Sequence, residues 1–134
     1  ASGERARLAT IGEIIARRGD SAVAESDRCR LVHRATALLR ADTSRPYCSD
    51  RICRALGVSE RVLQLAFRQC LGVSPSRWHL ALRLNRAHRA LIRGDVRSTT
   101  VTGVAGTFGF EHLGRFAQVY REQFRETPSV TLRA

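Results

Sequence analysis

"ICRALGVSERVLQLAFRQCLGVSPS" (residues 52–76) and "VAGTFGFEHLGRFAQVYREQFRETPS" (residues 104–129) decide the fold once they are set side by side. Ile52 matches Val104, Cys53 matches Ala105, Leu56 matches Phe108 and Gly57 matches Gly109. Further on, Phe67 matches Tyr120, Arg68 matches Arg121, Leu71 matches Phe124, and Pro75-Ser76 matches Pro128-Ser129. The period is 52–53 residues, because the second copy carries one extra residue just after its turn. A repeat of this kind marks one supersecondary unit used twice. Each copy is a short helix, a tight turn and a second helix, the helix-turn-helix pattern whose second helix lies in a DNA major groove.

The repeat also assigns the glycines. Gly109 is the pivot between two helices, where the chain needs a positive φ. Phe110 is expected to pack under that turn, as Val58 does in the first copy. Gly103, Gly106 and Gly114 have no glycine counterpart and read as tolerated or packed. A phosphate-cradling loop is a poor fit: there is no G-x-G-x-x-G spacing, no following Gly-Lys-Ser/Thr and no βαβ surround.

Outside the repeat, the pattern is helical throughout. Residues 1–25 form an N-terminal helical or linker segment, with Leu8, Ile11, Ile14 and Ile15 at helical spacing. Gly19 and the small polar residues after it are expected to break that pattern. A new helix capped by Ser26 or Asp27 then carries the stripe Leu31, Val32, Ala35, Leu38, Leu39. Pro46 ends it. Residues 26–134 make the main domain: a first helix-turn-helix at about 49–72, a linking helix at about 75–93, and a second helix-turn-helix at about 99–125. Ser59 caps the helix that buries Leu63, Ala66, Phe67, Cys70 and Leu71. Ser74 and Pro75 start the linking helix, with Leu80, Leu84, Ala87 and Leu91 on one face and Trp78 near its start. Without a methionine at its start, the chain reads as processed or as a piece of something longer.

The charge names the partner class. A net charge of +11 on 134 residues attracts polyanions, nucleic acid first. All 23 basic residues are arginine; codon bias accounts for the missing lysine, while the net charge still calls for a partner. Arginine's planar fork suits guanine edges and phosphates. No apolar run reaches membrane-span length, so no membrane partner is expected. The cysteines at 29, 48, 53 and 70 form no C-x-x-C pair and read as thiols in a reducing cytoplasm. A zinc site from Cys48, Cys53 and a histidine is disfavoured, and no cofactor is expected. An enzyme using Cys53 or Cys70 with a histidine is disfavoured too, since no oriented Cys–His–acid set is visible.

The stretches "LGVSERVLQLAFRQCLGVSPSRW", "LRLNRAHRALI", "VAGTFGFEHLGRFAQVYREQF" and "TPS" resemble the AraC/XylS family of bacterial transcription regulators over about residues 27–133. The resemblance implies an all-α fold of about seven helices: two helix-turn-helix subdomains joined by a long linking helix, here with the extra N-terminal segment. It implies sequence-specific binding of double-stranded promoter DNA in successive major grooves, RNA polymerase as a further partner, and an N-terminal effector-sensing or dimerisation domain absent from this chain. Three positions depart from the family pattern: Arg125 stands where glycine is usual, Leu65 where arginine is frequent, and Cys48 where a Ser or Thr cap is common, with Ser49 as the substitute cap. The Arg125 change implies a helix end built differently.

A helical wheel gives the candidate contacts. Arg61, Gln64 and Leu65 in the first copy, with Arg115 and Gln118 in the second, are the candidate base readers. Arginine suits guanine and glutamine suits adenine, whereas Leu65 meets a thymine methyl or is an ordinary exposed leucine. Ser59, Arg68, His112, Gly114 and Arg121 are backbone or undecided contacts. His112 bonds a phosphate or base, or caps its helix, or is solvated. Gly114 permits a close backbone approach or is merely small. Of the connector arginines 77, 83, 86, 89 and 93, Arg83 is the one expected to brace the lobes. A different reading of the same charge is a basic helical interaction module that touches RNA polymerase or a co-regulator without reading bases.

Overall fold

The structure is a computed structural model that describes the backbone from residue 11 and side chains from residue 26. Among the described residues there are seven helices and no strand: α1 (Ile11–Ala41), α2 (Ser49–Leu56), α3 (Glu60–Leu71), α4 (Pro75–Arg93), α5 (Val101–Thr107), α6 (Leu113–Phe124) and α7 (Pro128–Arg133). None of these helices is long and apolar enough to cross a membrane.

Two cores form, one per lobe. Val32, Ala35 and Leu39 of α1 meet Ile52 and Leu56 of α2 and Leu63, Ala66 and Phe67 of α3. Leu84, Ala87 and Leu91 of α4 meet Val104 and Ala105 of α5 and Phe116, Val119 and Tyr120 of α6. The connector α4 thus gives its C-terminal half to the second core. Its first turns close the first core, where Trp78 sets its ring edgewise against Phe67 at 6.4 Å. At 19 residues, α4 is about 28 Å long.

The two copies repeat bond for bond at their turns. Val58 N donates to Cys53 O at 3.1 Å, and Phe110 N to Ala105 O at 2.9 Å. Gly57 N donates to Arg54 O at 3.3 Å, and Gly109 N to Gly106 O at 3.2 Å. Both glycines are left-handed, with φ of +67° and +78°. Val58 and Phe110 each pack on their own core, as the repeat predicts.

Between the lobes lies a polar junction built on one face of α4. His79, Arg83 and Arg86 recur at spacings of four and three, so they project the same way. His79 Nε2 donates to the Asp42 carbonyl at 3.3 Å, which assigns the proton to Nε2. Burial lowers the His79 pKa, so the ring stays neutral. Arg86 donates to the Arg40 carbonyl at 3.0 Å and to Thr43 Oγ1 at 2.8 Å. Arg83 turns to the second lobe: it donates to the carbonyls of Phe108 and Gly109 at 3.3 and 3.4 Å and lies 4.6 Å over the Phe110 ring. It is only 6% exposed, and burial lowers its pKa.

Several sequence expectations change here. α1 runs unbroken through Gly19, and neither Ser26 nor Asp27 caps a new helix. A single glycine costs a helix only about 1 kcal/mol and, without proline, does not stop it. The apolar stripe expected around residues 8–15 lies outside the described side chains. Leu38 is 39% exposed and lines a groove with Ile52 and Ala55 at the edge of the core. Leu71, the last residue of α3, is 43% exposed because it sits past the core's edge. At α2, Cys48 holds the cap position, and Ser49 is the first helical residue, not a substitute cap. The end of α6 differs in bonding and not in conformation: Arg125 takes the left-handed conformation, φ +62°, that Gly72 takes at the end of α3, but its N–H bonds Arg121 O alone where that of Gly72 bonds both Arg68 O and Phe67 O.

Three substitutions test these left-handed positions. A Cβ on Gly57 would meet nothing within 4 Å, whereas one on Gly109 would stand 2.7–2.9 Å from the Arg45 backbone. Gly57→Ala should therefore cost about 1 kcal/mol, the left-handed penalty less the loss of unfolded-chain freedom. Gly109→Ala should cost about 3 kcal/mol or more, because backbone must also shift. Urea unfolding of both variants checks the difference, and equal losses would contradict the close approach. Arg125→Gly should stabilise the chain by about 0.5–1 kcal/mol by removing the left-handed penalty on a residue with a Cβ; thermal melts measure it.

Candidate nucleic-acid interface

α3 forms where the sequence supplies its start, face and stop. Ser59 accepts a hydrogen bond from Val62 N at 3.2 Å, Glu60 faces the positive end of the helix dipole, and Gly72 terminates it. With Leu63, Ala66 and Phe67 buried, the remaining arc must face outward. Arg61, Gln64, Leu65 and Arg68 all lie on it, exposed. Leu65 is 51% exposed and Val62, which the sequence reading passed over, is 48% exposed, so this face has an apolar component. Gln64 is already engaged: its Nε2 donates to Glu60 Oε1 at 3.1 Å.

α6 repeats the arrangement with different side chains. His112 sits at the cap position in an extended conformation, with its side chain making no capping bond. Leu113, Gly114, Arg115, Gln118 and Arg121 are exposed, opposite buried Phe116, Val119 and Tyr120. A Cβ on Gly114 would meet nothing within 4 Å, so no packing demands glycine there. The smooth surface it leaves is open to an approaching partner.

The structure divides the α6 candidates between two places. Arg115 and His112 line a cleft of about 330 Å³ between the lobes, shared with Arg77 of α4 and Tyr47 of the first lobe. Leu80, Phe110 and Val119 also line it. Gln118 and Arg121 instead line a separate groove further along α6, together with Arg125. Arg77 is the addition that the sequence did not single out. It looks like one more residue of a charged connector until the fold sets it across the cleft from Arg115.

The arginines on these faces are electrostatically uncommitted. Among the described residues the ion pairs are Arg30–Asp27, Arg45–Asp42 and Arg51–Asp42, all at exposed side chains. None involves Arg61, Arg68, Arg77, Arg115 or Arg121. Asp42 does local work: Ser44 Oγ donates to it at 2.6 Å and Ser44 N at 3.1 Å, and these bonds, with the two arginines, lower its pKa. Among the described residues no three His, Cys, Asp or Glu side chains gather into a metal site. The arrangement offers charge-assisted, two-point hydrogen bonds from two outward helix faces, and among the described residues it assembles no acid–base or nucleophilic set.

Comparison with known proteins agrees with this geometry. Residues 52–134 match the family model described as a helix-turn-helix domain. The chain is 38% identical over 103 residues to the probable thc operon regulatory protein of Rhodococcus erythropolis, covering 77% of this chain and 31% of that protein. It is similar to the crystal structure of a probable AraC family transcriptional regulator from Rhodopseudomonas palustris, with 36% identity and a TM-score of 0.70 over 78% of this chain and 95% of that one. It is similar too to a transcriptional regulator described as an AraC-type DNA-binding domain-containing protein from Chromobacterium violaceum, with 31% identity and a TM-score of 0.71 over 81% of this chain and 94% of that one. A superposition of that extent spans both lobes and the connector. The chain spans between about a quarter and a third of the length of the first curated relatives it matches.

Proposed function

The chain belongs to the AraC/XylS family of transcription regulators, and from that premise we propose that it binds double-stranded promoter DNA sequence-specifically and so regulates bacterial transcription. The observation that carries the reading is the doubled turn. Two equivalent helices present exposed Arg–Gln faces, Arg61 with Gln64 and Arg115 with Gln118, and α4 joins them at a fixed separation. Major-groove segments on one side of a duplex recur every ~34 Å, a distance that a rigid helix of this length can set. One chain then reads an asymmetric site without a second copy.

In this reading Arg61, Gln64, Arg115 and Gln118 bond base edges, and Leu65, with Val62 beside it, meets thymine methyls. Gln64 exchanges its bond to Glu60 for one to the base. Arg68, Arg121, His112 and Arg77 hold phosphates, Ser59 holds its helix start against the backbone, and Gly114 lets the duplex come close. Residues 26–134 act as the DNA-binding unit, and RNA polymerase and a preceding effector-sensing or dimerisation domain complete the regulator in the cytoplasm.

The test begins with selection of a preferred site from random duplexes, followed by band-shift titration of that site and a scrambled one. Arg61→Ala and Arg115→Ala should each flatten preference at particular base pairs by about 1–3 kcal/mol. Arg68→Ala and Arg121→Ala should weaken both duplexes alike and reduce the salt dependence of log K by about 0.9 each. Equal losses on both duplexes for Arg61→Ala and Arg115→Ala would remove them as readers. Failure to select any preferred site would leave an interaction module in place of a reader.

A further inference from the structure

The four cysteines do not all sit as isolated small hydrophobes. Cys29 Sγ of α1 and Cys70 Sγ of α3 lie 3.3 Å apart, although 41 residues separate them in sequence. Cys29 is exposed, and the pair opens onto a surface pocket lined by Arg28, Cys29, Gln69 and Cys70. Arg28 also hydrogen-bonds Gln69 across the same two helices. Neither Cys48 nor Cys53 has a second sulfur in hydrogen-bonding contact among the described residues.

We propose that Cys29 and Cys70 form a reversible disulfide on exposure to a peroxide, clamping α1 to the C-terminal end of the first lobe's outward helix. The sulfurs are already in contact and facing, so closing to a bonded length near 2.05 Å needs only about 1.2 Å of movement. The two helices are in direct contact, and Cys70 lies at the edge of the first core rather than within it. Disulfides in reducing compartments are characteristically transient and redox-sensing, which suits a pair whose one member, Cys29, is exposed to solvent.

The chemistry balances with hydrogen peroxide as the oxidant. The Cys29 thiolate attacks one peroxide oxygen; an S–O bond forms, the O–O bond breaks, and hydroxide leaves to become water with the thiol's proton. The Cys70 thiolate then attacks the sulfenic sulfur; the S–S bond forms, the S–O bond breaks, and a second water leaves. Two thiols are oxidised by two electrons and one peroxide is reduced to two waters. Thioredoxin-type or glutathione-type dithiol exchange reverses the step. Cys48 is the competing thiol, since the Arg51 backbone N–H lowers its pKa. Among the described residues it has no second sulfur in hydrogen-bonding contact, whereas Cys29 and Cys70 already touch.

The proposal stands independently of the DNA reading. The test treats the chain with a small excess of hydrogen peroxide and follows intact mass, peptide map and melting temperature, before and after dithiothreitol. Expected are a loss of 2 Da in the monomer, a linked peptide pair containing Cys29 and Cys70, and a melting temperature raised by several degrees through the closed loop. Dithiothreitol should reverse all three. The Cys48→Ser/Cys53→Ser double variant should behave as the parent, whereas Cys29→Ser and Cys70→Ser should each abolish the 2 Da loss. A link through Cys48 or Cys53, a linked dimer, oxygen addition at Cys29 without the link, or a lowered melting temperature would overturn the proposal.

Discussion

The Arg83 guanidinium is the interaction on which the geometry of the molecule turns. It is a buried charge at the seam of two cores, and burial of a charge is tolerable only where hydrogen bonds and polarisable surface replace water. Here the carbonyls of Phe108 and Gly109 take Nη1 and the face of Phe110 lies under the guanidinium, while the buried Nε has no hydrogen-bond partner. Those three residues are the second lobe's turn, so a side chain of the connector holds the second lobe at the point where α5 hands over to α6. His79 and Arg86, one turn away on either side of Arg83, hold the first lobe's loop through Asp42, Arg40 and Thr43. Both lobes are thus referenced to a single face of a single helix. Gly109 completes the seam, since only a residue without Cβ lets the Arg45 backbone approach this turn. Both carbonyl bonds come from Nη1, so an arginine-to-lysine exchange at 83 would keep the charge and lose the planar group that lies over the Phe110 ring.

The two lobes show how far a repeated backbone lets side-chain chemistry diverge. Turn hydrogen bonds, left-handed positions and buried faces repeat at the same offsets, because the angle between helices depends on them. Caps and cores do not repeat in kind. Ser59 caps α3 with its hydroxyl, while His112 holds the same place without a side-chain bond. Phe67, buried completely, becomes Tyr120, which brings a hydroxyl into the second core. That hydroxyl accepts from His88 Nδ1 at 2.8 Å and donates to Thr131 Oγ1 at 2.7 Å, and Thr131 in turn donates to Glu126 at 2.9 Å. His88 also stacks on Phe124 at 4.1 Å. The chain of bonds ties α4, α6 and α7 together where the first lobe relies on apolar contact with α1.

What the sequence made legible was whatever is local. Turn glycines, the Ser59 and Ser74 caps, Pro75, and the stripes Leu63–Ala66–Phe67 and Leu84–Ala87–Leu91 each declare themselves within a few residues. The family resemblance added the count of helices and the connector, and the outward faces of α3 and α6 could be drawn on a wheel. The junction was mostly invisible. His79 with Asp42, Arg86 with Arg40 and His88 with Tyr120 are separated by 37, 46 and 32 residues, and no periodicity announces such partners. Arg83 was legible as a brace but not as a cap on a particular turn. The Cys29–Cys70 contact was hidden for the same reason, since each cysteine looks, from its own neighbours, like a small apolar residue. Leu38 and Leu71 misled in the other direction: a helical wheel extends a stripe to the helix edge, while a core has a finite width.

The charge distribution follows from this division of labour. Buried Arg83 and half-buried Arg86 have fixed tasks in the junction, and the exposed arginines are left largely without carboxylate partners. The three ion pairs among the described residues converge on Asp27 and Asp42, and exposed pairs of this kind stabilise by about 0–1 kcal/mol. A net charge of +11 on a chain this small therefore acts as self-repulsion across the outward faces of α3 and α6. Any polyanion laid along those faces relieves the repulsion and stabilises the folded state by linkage. The same arginines that would read a duplex thus make the unliganded domain less stable than its cores alone allow. Geometry is held from within by Arg83 and its neighbours, and the outward arginines of α3 and α6 take no part in either core. On the reading proposed above, the exposed arginines and glutamines of α3 and α6 can change while the seam stays as it is, because none of them bonds to it.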